Sequence, residues 1–353
     1  MTVEFPPTTT PPSDNEEGEN EIVETESRWK NPVDLQLELP ALFDLENISR
    51  IIGKPIDRIE VVNSARKNDG TLEKFLVKYY AEGRVYYATS NTNYQMKPAY
   101  ENHKALHAQM PNQTVPQPVG FIDEINAVIY EELVGDNFVE HMRSTSDENK
   151  LELFRKAGEV LNQLHQVDPD SVDSGANTSN ASLENIMSSI NSDTFTEIEV
   201  RDPEFTARLR ELYEKLVAYE TKLLADSKLV VAHGDFHPKN LLVTDGESIG
   251  IVDFTDVSVT ARARDIGGFL EQTYAIIRDQ EGLETDEQMS QYREAFITGY
   301  GDGIKQDDGD VKFYQAWQAW RNSMYYAGKV VPDFIRAENY LQRANSHFAD
   351  ISQ

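Results

Sequence analysis

Residues 230–256 read VVAHGDFHPKNLLVTDGESIGIVDFTD. A short apolar run, 229–232, ends at His233-Gly234-Asp235, and two more follow at 241–243 and 249–254. Between the last two lies Asp245-Gly246-Glu247-Ser248, a strong turn signal, so the third run is expected to fold back antiparallel on the second. With the turn centred on Gly246 and Glu247, Asn240 faces Asp253; centred one residue earlier, Asp253 faces Pro238. Either register returns Asp253 to the side of Asn240. An amide and a carboxylate at one end of a buried hairpin can share a divalent cation. Such hard oxygen donors suit Mg²⁺, which keeps waters and substrate phosphates in its shell.

Asp235 lies five residues before Asn240, the spacing of the kinase catalytic loop, in which an Asp takes the substrate hydroxyl proton and an Asn holds metal. The segment resembles the HGD-x-x-x-x-N loop of the aminoglycoside phosphotransferase and choline kinase-like family. Ile251-Val252-Asp253-Phe254 resembles that family's metal-binding motif, and Arg264-Asp265-Ile266-Gly267 its following helix start. Leu164-His165 matches a helix ending, and Val128–Gly135 resembles the hinge between lobes. The three motifs around the hairpin stand in the family's order and separations, and the likeness extends over most of the chain after its N-terminal tail.

The resemblance implies an α+β, two-lobed, protein-kinase-like fold with a small antiparallel-sheet N-lobe and a mostly helical C-lobe carrying the catalytic hairpin. It implies ATP and Mg²⁺ as cofactors and a small-molecule hydroxyl as acceptor. Asp235 would be catalytic, with Asn240 and Asp253 as metal ligands. Glu131, Glu132 and Leu133 would meet the adenine through backbone groups. His233, His237, Asp265 and Glu101 would be structural supports, Asp265 by accepting backbone hydrogen bonds at a helix start.

One departure is plain. The family carries a phosphate-gripping Lys on its third strand, and 83–90, GRVYYATS, has none. Lys78 on the neighbouring strand is the expected substitute, as in the with-no-lysine protein kinases; Lys97 is the other candidate. The segment 64–71, SARKNDGT, also lacks a GxGxxG. A missing cation would cost positioning and charge neutralisation, which supply most of the catalysis in phosphoryl transfer. The alternative is therefore a weak or inactive pseudokinase acting as a nucleotide-binding regulatory module. A third reading takes Asp235-Phe236-His237 as the D-x-H of a dinuclear metallophosphatase, but the Gly-Asn-His such enzymes add is absent.

Around these motifs the chain reads as follows. Residues 1–33 are acidic and rich in Pro and Thr, a composition that buries too little apolar surface to fold. Strands are expected at 59–63, 75–80 and 85–89, a helix at 99–109, and strands at 118–122 and 127–133, giving a first lobe over 34–134. The second lobe, 135–353, reads as helical: Phe205, Leu209, Leu212, Leu216, Tyr219 and Leu223 step at amphipathic spacing. An exposed loop is expected over 168–184. Tyr314, Trp317 and Trp320 read as core rather than as a stacking platform.

The 353 residues contain no Cys, which excludes disulfides, thiol nucleophiles and thiolate metal sites. No apolar run reaches 18 residues, so no membrane span is expected. The N-terminus lacks the basic and apolar segments of a secretory signal, and a cytoplasmic location is expected. With 33 basic and 61 acidic side chains the net charge is −28, which argues against nucleic acid as a partner. It permits a cationic, amine- or sugar-like acceptor, and solubility alone is the favoured reading of it. Oligomeric state is not legible.

Overall fold

The computed structural model describes residues 32–66, 70–111, 113–172, 182–183, 192–244 and 247–351. The acidic tail up to residue 31, part of the Gly-poor loop (67–69), most of the 168–184 loop and the turn residues Asp245 and Gly246 lie outside the described residues.

Strand alternation organises the first unit, residues up to 93 together with 119–131. In β2 (Leu72–Ala81), Phe75, Val77, Tyr79 and Ala81 are buried while Leu76, Lys78 and Tyr80 lie on the other face, the period of two that a half-buried strand requires. Glu82 and Gly83, both at positive φ, close a two-residue hairpin to β3 (Arg84–Asn91). With β1 (Arg58–Arg66), β4 (Pro118–Ile122) and β5 (Ala127–Glu131) the strands form a five-stranded sheet in the order β1-β2-β3-β5-β4. Its buried face packs against Leu35, Leu42, Ile48 and Ile52, from Pro32–Glu38, a short 3₁₀ turn and the helix Leu45–Ile52.

The second unit, 94–118 with 132–353, is mostly helical. The helix Met96–Gln109, expected within the first lobe, is grouped with this unit. Two small antiparallel sheets lie within it. One pairs β7 (Leu229–Ala232) with β10 (Ser258–Ala261); the other orders β6 (Gly135–Asn137), β8 (Leu241–Thr244) and β9 (Ser248–Ile251) as β6-β8-β9. The apolar stepping of 205–223 is realised as the helix Pro203–Asp226, with Phe205, Leu209, Leu212, Leu216 and Leu223 buried. Tyr314, Trp317 and Trp320 are buried on Gly309–Gly328, where the Trp320 indole donates to Leu209 O at 2.9 Å. The helices Asp147–His165 and Asp286–Tyr300 approach at backbone contact. A Cβ on Gly158 would stand 2.1 Å from Phe296 O, and one on Gly299 1.8 Å from Arg155 O. Only glycine permits this separation, and it brings His165 and Tyr300 together at the helix ends.

Candidate active site

The catalytic-loop segment leaves β7 at His233 and is fixed from several directions. Asp265, in the first turn of the helix Ala263–Thr273, accepts from His233 N (2.6 Å) and Gly234 N (2.9 Å). His165 Nε2 lies 3.1 Å from the same carboxylate, and its Nδ1 is 2.9 Å from the Tyr300 hydroxyl. Burial raises the Asp265 carboxyl, but the His165 hydrogen bond and the nearby histidines and Gly234 N–H outweigh it, leaving it below its ordinary value. His233 Nδ1 accepts from Asp235 N at 3.3 Å, so its Nε2 carries the proton and donates to Val252 O at 3.1 Å. That bond joins the loop to the end of β9.

Gly234 sits at φ +84, and a Cβ there would stand 2.3 Å from Asp256 O. The next residue, Asp235, is about one-third exposed, with His237 Nε2 3.3 Å from its Oδ2. His237 Nδ1 accepts from Lys239 N, so Nε2 is the donor to Asp235. Burial would raise the Asp235 carboxyl; the hydrogen bond and charge of His237, with Arg321 and His233, hold it well below the carboxylate range, so it is ionised at neutral pH. Asn240 Nδ2 donates to Asp235 O (3.0 Å) and contacts Oδ2 (3.4 Å), which leaves Asn240 Oδ1 as its remaining acceptor.

The hairpin register falls between the two expected from the turn. Leu241 faces Ile251 and Thr244 faces Ser248, a three-residue connection, so Asn240 stands opposite Val252 and accepts its N–H at 3.0 Å. Asp253 follows immediately at φ +67, a left-handed conformation uncommon for a non-glycine residue, with Thr255 Oγ1 donating to its Oδ1 at 2.6 Å. Phe254 anchors the turn, its ring 4.8 Å from that of His103 and 5.3 Å from that of His233.

The donors present fit Mg²⁺. An amide oxygen and a carboxylate on adjoining strand ends are the small protein contribution that this ion takes when substrate phosphates complete its shell. Among the described residues no group of three His, Asp or Glu could hold a metal unaided, which a dinuclear phosphatase would need.

Some expected residues stand elsewhere. Glu101 is on the exposed face of its helix and pairs with Lys104; Asn102 and His103 occupy the buried face. Within the first unit, Lys78 pairs in register with Tyr87 of β3, its Nζ 5.3 Å from that ring, and Tyr87 stacks on Tyr130 of β5. Lys78 therefore shares one sheet face with Tyr87 and Tyr130. Lys97 contacts the Tyr100 ring on its own helix. Glu131 accepts from Arg84 at 2.8 Å, while Glu132 and Leu133 open the second unit and are part-buried.

Three residues were missed in the sequence. Asp256, three positions past Asp253, is pushed up to about 7 by burial and by the charges of Asp235 and Asp253. Arg264 and Arg321 line a pocket beside Asp235 together with Phe236, Gln272, Trp317 and Gln318. Arg264 opens the helix-start motif but was given no role there, and nothing in the sequence brings Arg321, 86 positions after Asp235, to the same place.

Solved structures share this fold. Spectinomycin phosphotransferase APH(9)-Ia, in complex with ADP and spectinomycin, is 15% identical, with a TM-score of 0.55 over 88% of this chain and 98% of that one. Plasmodium vivax ethanolamine kinase is 16% identical, with a TM-score of 0.53 over 83% and 82%. Aminoglycoside phosphotransferase APH(2'')-IIa, in a ternary complex with streptomycin and ATP, is 14% identical, with a TM-score of 0.56 over 80% and 88%. No curated protein matches the sequence. The family model APH, the phosphotransferase enzyme family, matches residues 73–314, a span running from β2 through the loop, the hairpin and the Asp265 helix and covering well over half of the chain. On that match, the chain belongs to the phosphotransferase enzyme family.

Proposed function

We propose that the protein transfers the γ-phosphoryl group of ATP, with Mg²⁺, to a hydroxyl of a small molecule. The observation that carries this reading is the meeting of Asp235 with Asn240, one residue across from Asp253 at the open end of the hairpin. Asp235, ionised and held by His237, would orient the acceptor hydroxyl and take its proton. The hydroxyl oxygen forms a bond to γ-phosphorus as the bond to the β,γ-bridging oxygen breaks, and ADP departs with that electron pair. Bound Mg²⁺ would supply neutralisation of phosphate charge, held by Asn240 Oδ1 and Asp253. His233, His165 and Asp265 do no chemistry; they keep the backbone before Asp235 in place. Lys78 would grip the phosphates, and backbone groups at Glu131, Glu132 and Leu133 would meet the adenine.

The test is a metabolite-mixture screen for ATP-dependent mass gain of one phosphoryl group, repeated with Asp253→Ala and Asp235→Asn. Turnover that disappears in both variants supports the assignment; undiminished activity in Asp253→Ala refutes it. The strand-three sequence, which has no Lys, favours a second reading, a nucleotide-binding module without turnover. Thermal stabilisation by Mg·ATP with no ATP consumption over amines, sugars and hydroxy acids would select it.

A further inference from the structure

The pocket beside Asp235 lies wholly within the second unit and is walled by residues 234–236, 264–272 and 314–321. Its cavity volume is about 20 Å³, room for a group the size of a water molecule. The only fixed positive charges among its lining residues are Arg264 and Arg321. Arg264 is 7% exposed, and its Nη1 is fully buried with no hydrogen-bond partner. A buried guanidinium nitrogen left unmatched is costly, and an oxygen entering the cavity, from a ligand or from water, would complete it. The lining acids do not take that role: Asp265 is committed to His233 N, Gly234 N and His165, and Asp235 to His237 and Asn240. Gln272 and Gln318 add neutral polar groups, and Trp317 and Tyr314 an apolar wall.

On the phosphotransferase reading above, we propose that the acceptor carries a carboxylate as well as its hydroxyl, a hydroxy acid or hydroxy amino acid, and that Arg264 and Arg321 bind that carboxylate while the hydroxyl meets Asp235. A planar guanidinium matches a carboxylate with paired hydrogen bonds, and two of them beside a small cavity disfavour a cationic amine at the same point. The net charge of −28 belongs to the chain as a whole; at this pocket Arg264 and Arg321 stand against Asp235 and Asp265, whose oxygens are already committed.

The test gives the full-length protein Mg·ATP with serine, glycerate and 3-hydroxybutyrate, with the amides of the same three acids, and with ethanolamine, choline and an aminoglycoside. The result expected is phosphorylation of at least one acid, with kcat/KM at least about a hundredfold above that of its amide. Arg321→Gln should raise KM for the acid at least about tenfold and narrow the acid-to-amide ratio while KM for ATP holds. Arg264→Gln removes a deeply buried group, so Gly268→Ala provides a second probe. A Cβ at Gly268 meets nothing within 4 Å, so the substitution is accommodated, yet it narrows the pocket and should raise acceptor KM alone. Phosphorylation of amines, sugars or amides with the acids inert overturns this inference and leaves the phosphotransferase reading standing. No phosphoryl gain with any acceptor and no ATP consumption overturns both.

Discussion

Asp265→Asn tests the claim that the catalytic segment is held by one buried carboxylate. The substitution preserves shape but removes one acceptor oxygen and the charge. In the native protein Oδ2 accepts from His233 N and His165 Nε2, and Oδ1 from Gly234 N. The asparagine can place its single oxygen toward His233 and His165, which turns its NH₂ toward Gly234 N–H, donor against donor. A buried hydrogen bond to a charged group contributes about 1.5–3 kcal/mol, and the two surviving bonds weaken once the charge is gone. The expected loss is about 3–4 kcal/mol at pH 7, read by urea unfolding followed by circular dichroism. The pH dependence has a definite sign. The folded carboxyl lies below its unfolded value, so its contribution is complete above the unfolded pKa, about 3.9, and is lost as pH falls through the lower folded value. The difference between the native protein and the variant should therefore be constant from pH 7 down to about 5 and shrink below about 4. Turnover should fall by at least about tenfold, because the freed N–H adjoins Asp235. A loss under about 1 kcal/mol at pH 7, or one that does not diminish in acid, would refute the reasoning.

Other expectations follow from the same geometry. Gly234→Ala places a Cβ 2.3 Å from Asp256 O at φ +84; it should cost about 1–2 kcal/mol in backbone strain alone and abolish turnover, which a kinetic assay on folded protein reads directly. Lys78→Ala should lower kcat/KM for ATP about a thousandfold; because Lys78 faces Tyr87 in register on one sheet face, adding Tyr87→Lys should restore part of it, and full activity in the single variant would remove Lys78 from the site. Burial raises the Glu271 carboxyl, but His347 and Arg343 bring it down to about 2. Its stabilisation, about 3 kcal/mol, should be complete above the unfolded value near 4.3 and fade as pH falls toward about 2. Glu271→Gln should accordingly match the native protein only at the acid end of a pH series of unfolding midpoints.

How much could be read in advance differs by residue. The hairpin was legible because a turn between two apolar runs is a local signal, and so was the return of the 252–253 segment to Asn240. Its register was not, since one residue of turn length decides it and the chain uses three connecting residues where either two-residue centre would have shifted the pairing. Lys78 was named by analogy with kinases that draw this Lys from the adjacent strand; the strand pairing sets it opposite Tyr87. Glu101 was placed as a support from its helix alone, yet helical phase puts it on the exposed side and leaves His103 to meet Phe254. The negative balance of the chain permitted a cationic acceptor without requiring one, and net charge says nothing of where Arg264 and Arg321 lie.

By itself, then, the order of residues determined the strands, the turn, the amphipathic helices and the Asp235–Asn240 spacing, all set by interactions among near neighbours in the chain. Only the tertiary structure decided that Asp265 holds His233 and Gly234 from about 30 positions away, that His165 and Tyr300 support it, and that two arginines from different helices line the cavity beside Asp235. The physical reason is that these meetings depend on how closely helices pack. Such separations follow from side-chain volume summed over a whole core, as the backbone contact at Gly158 and Gly299 illustrates, and no short stretch of sequence contains that sum.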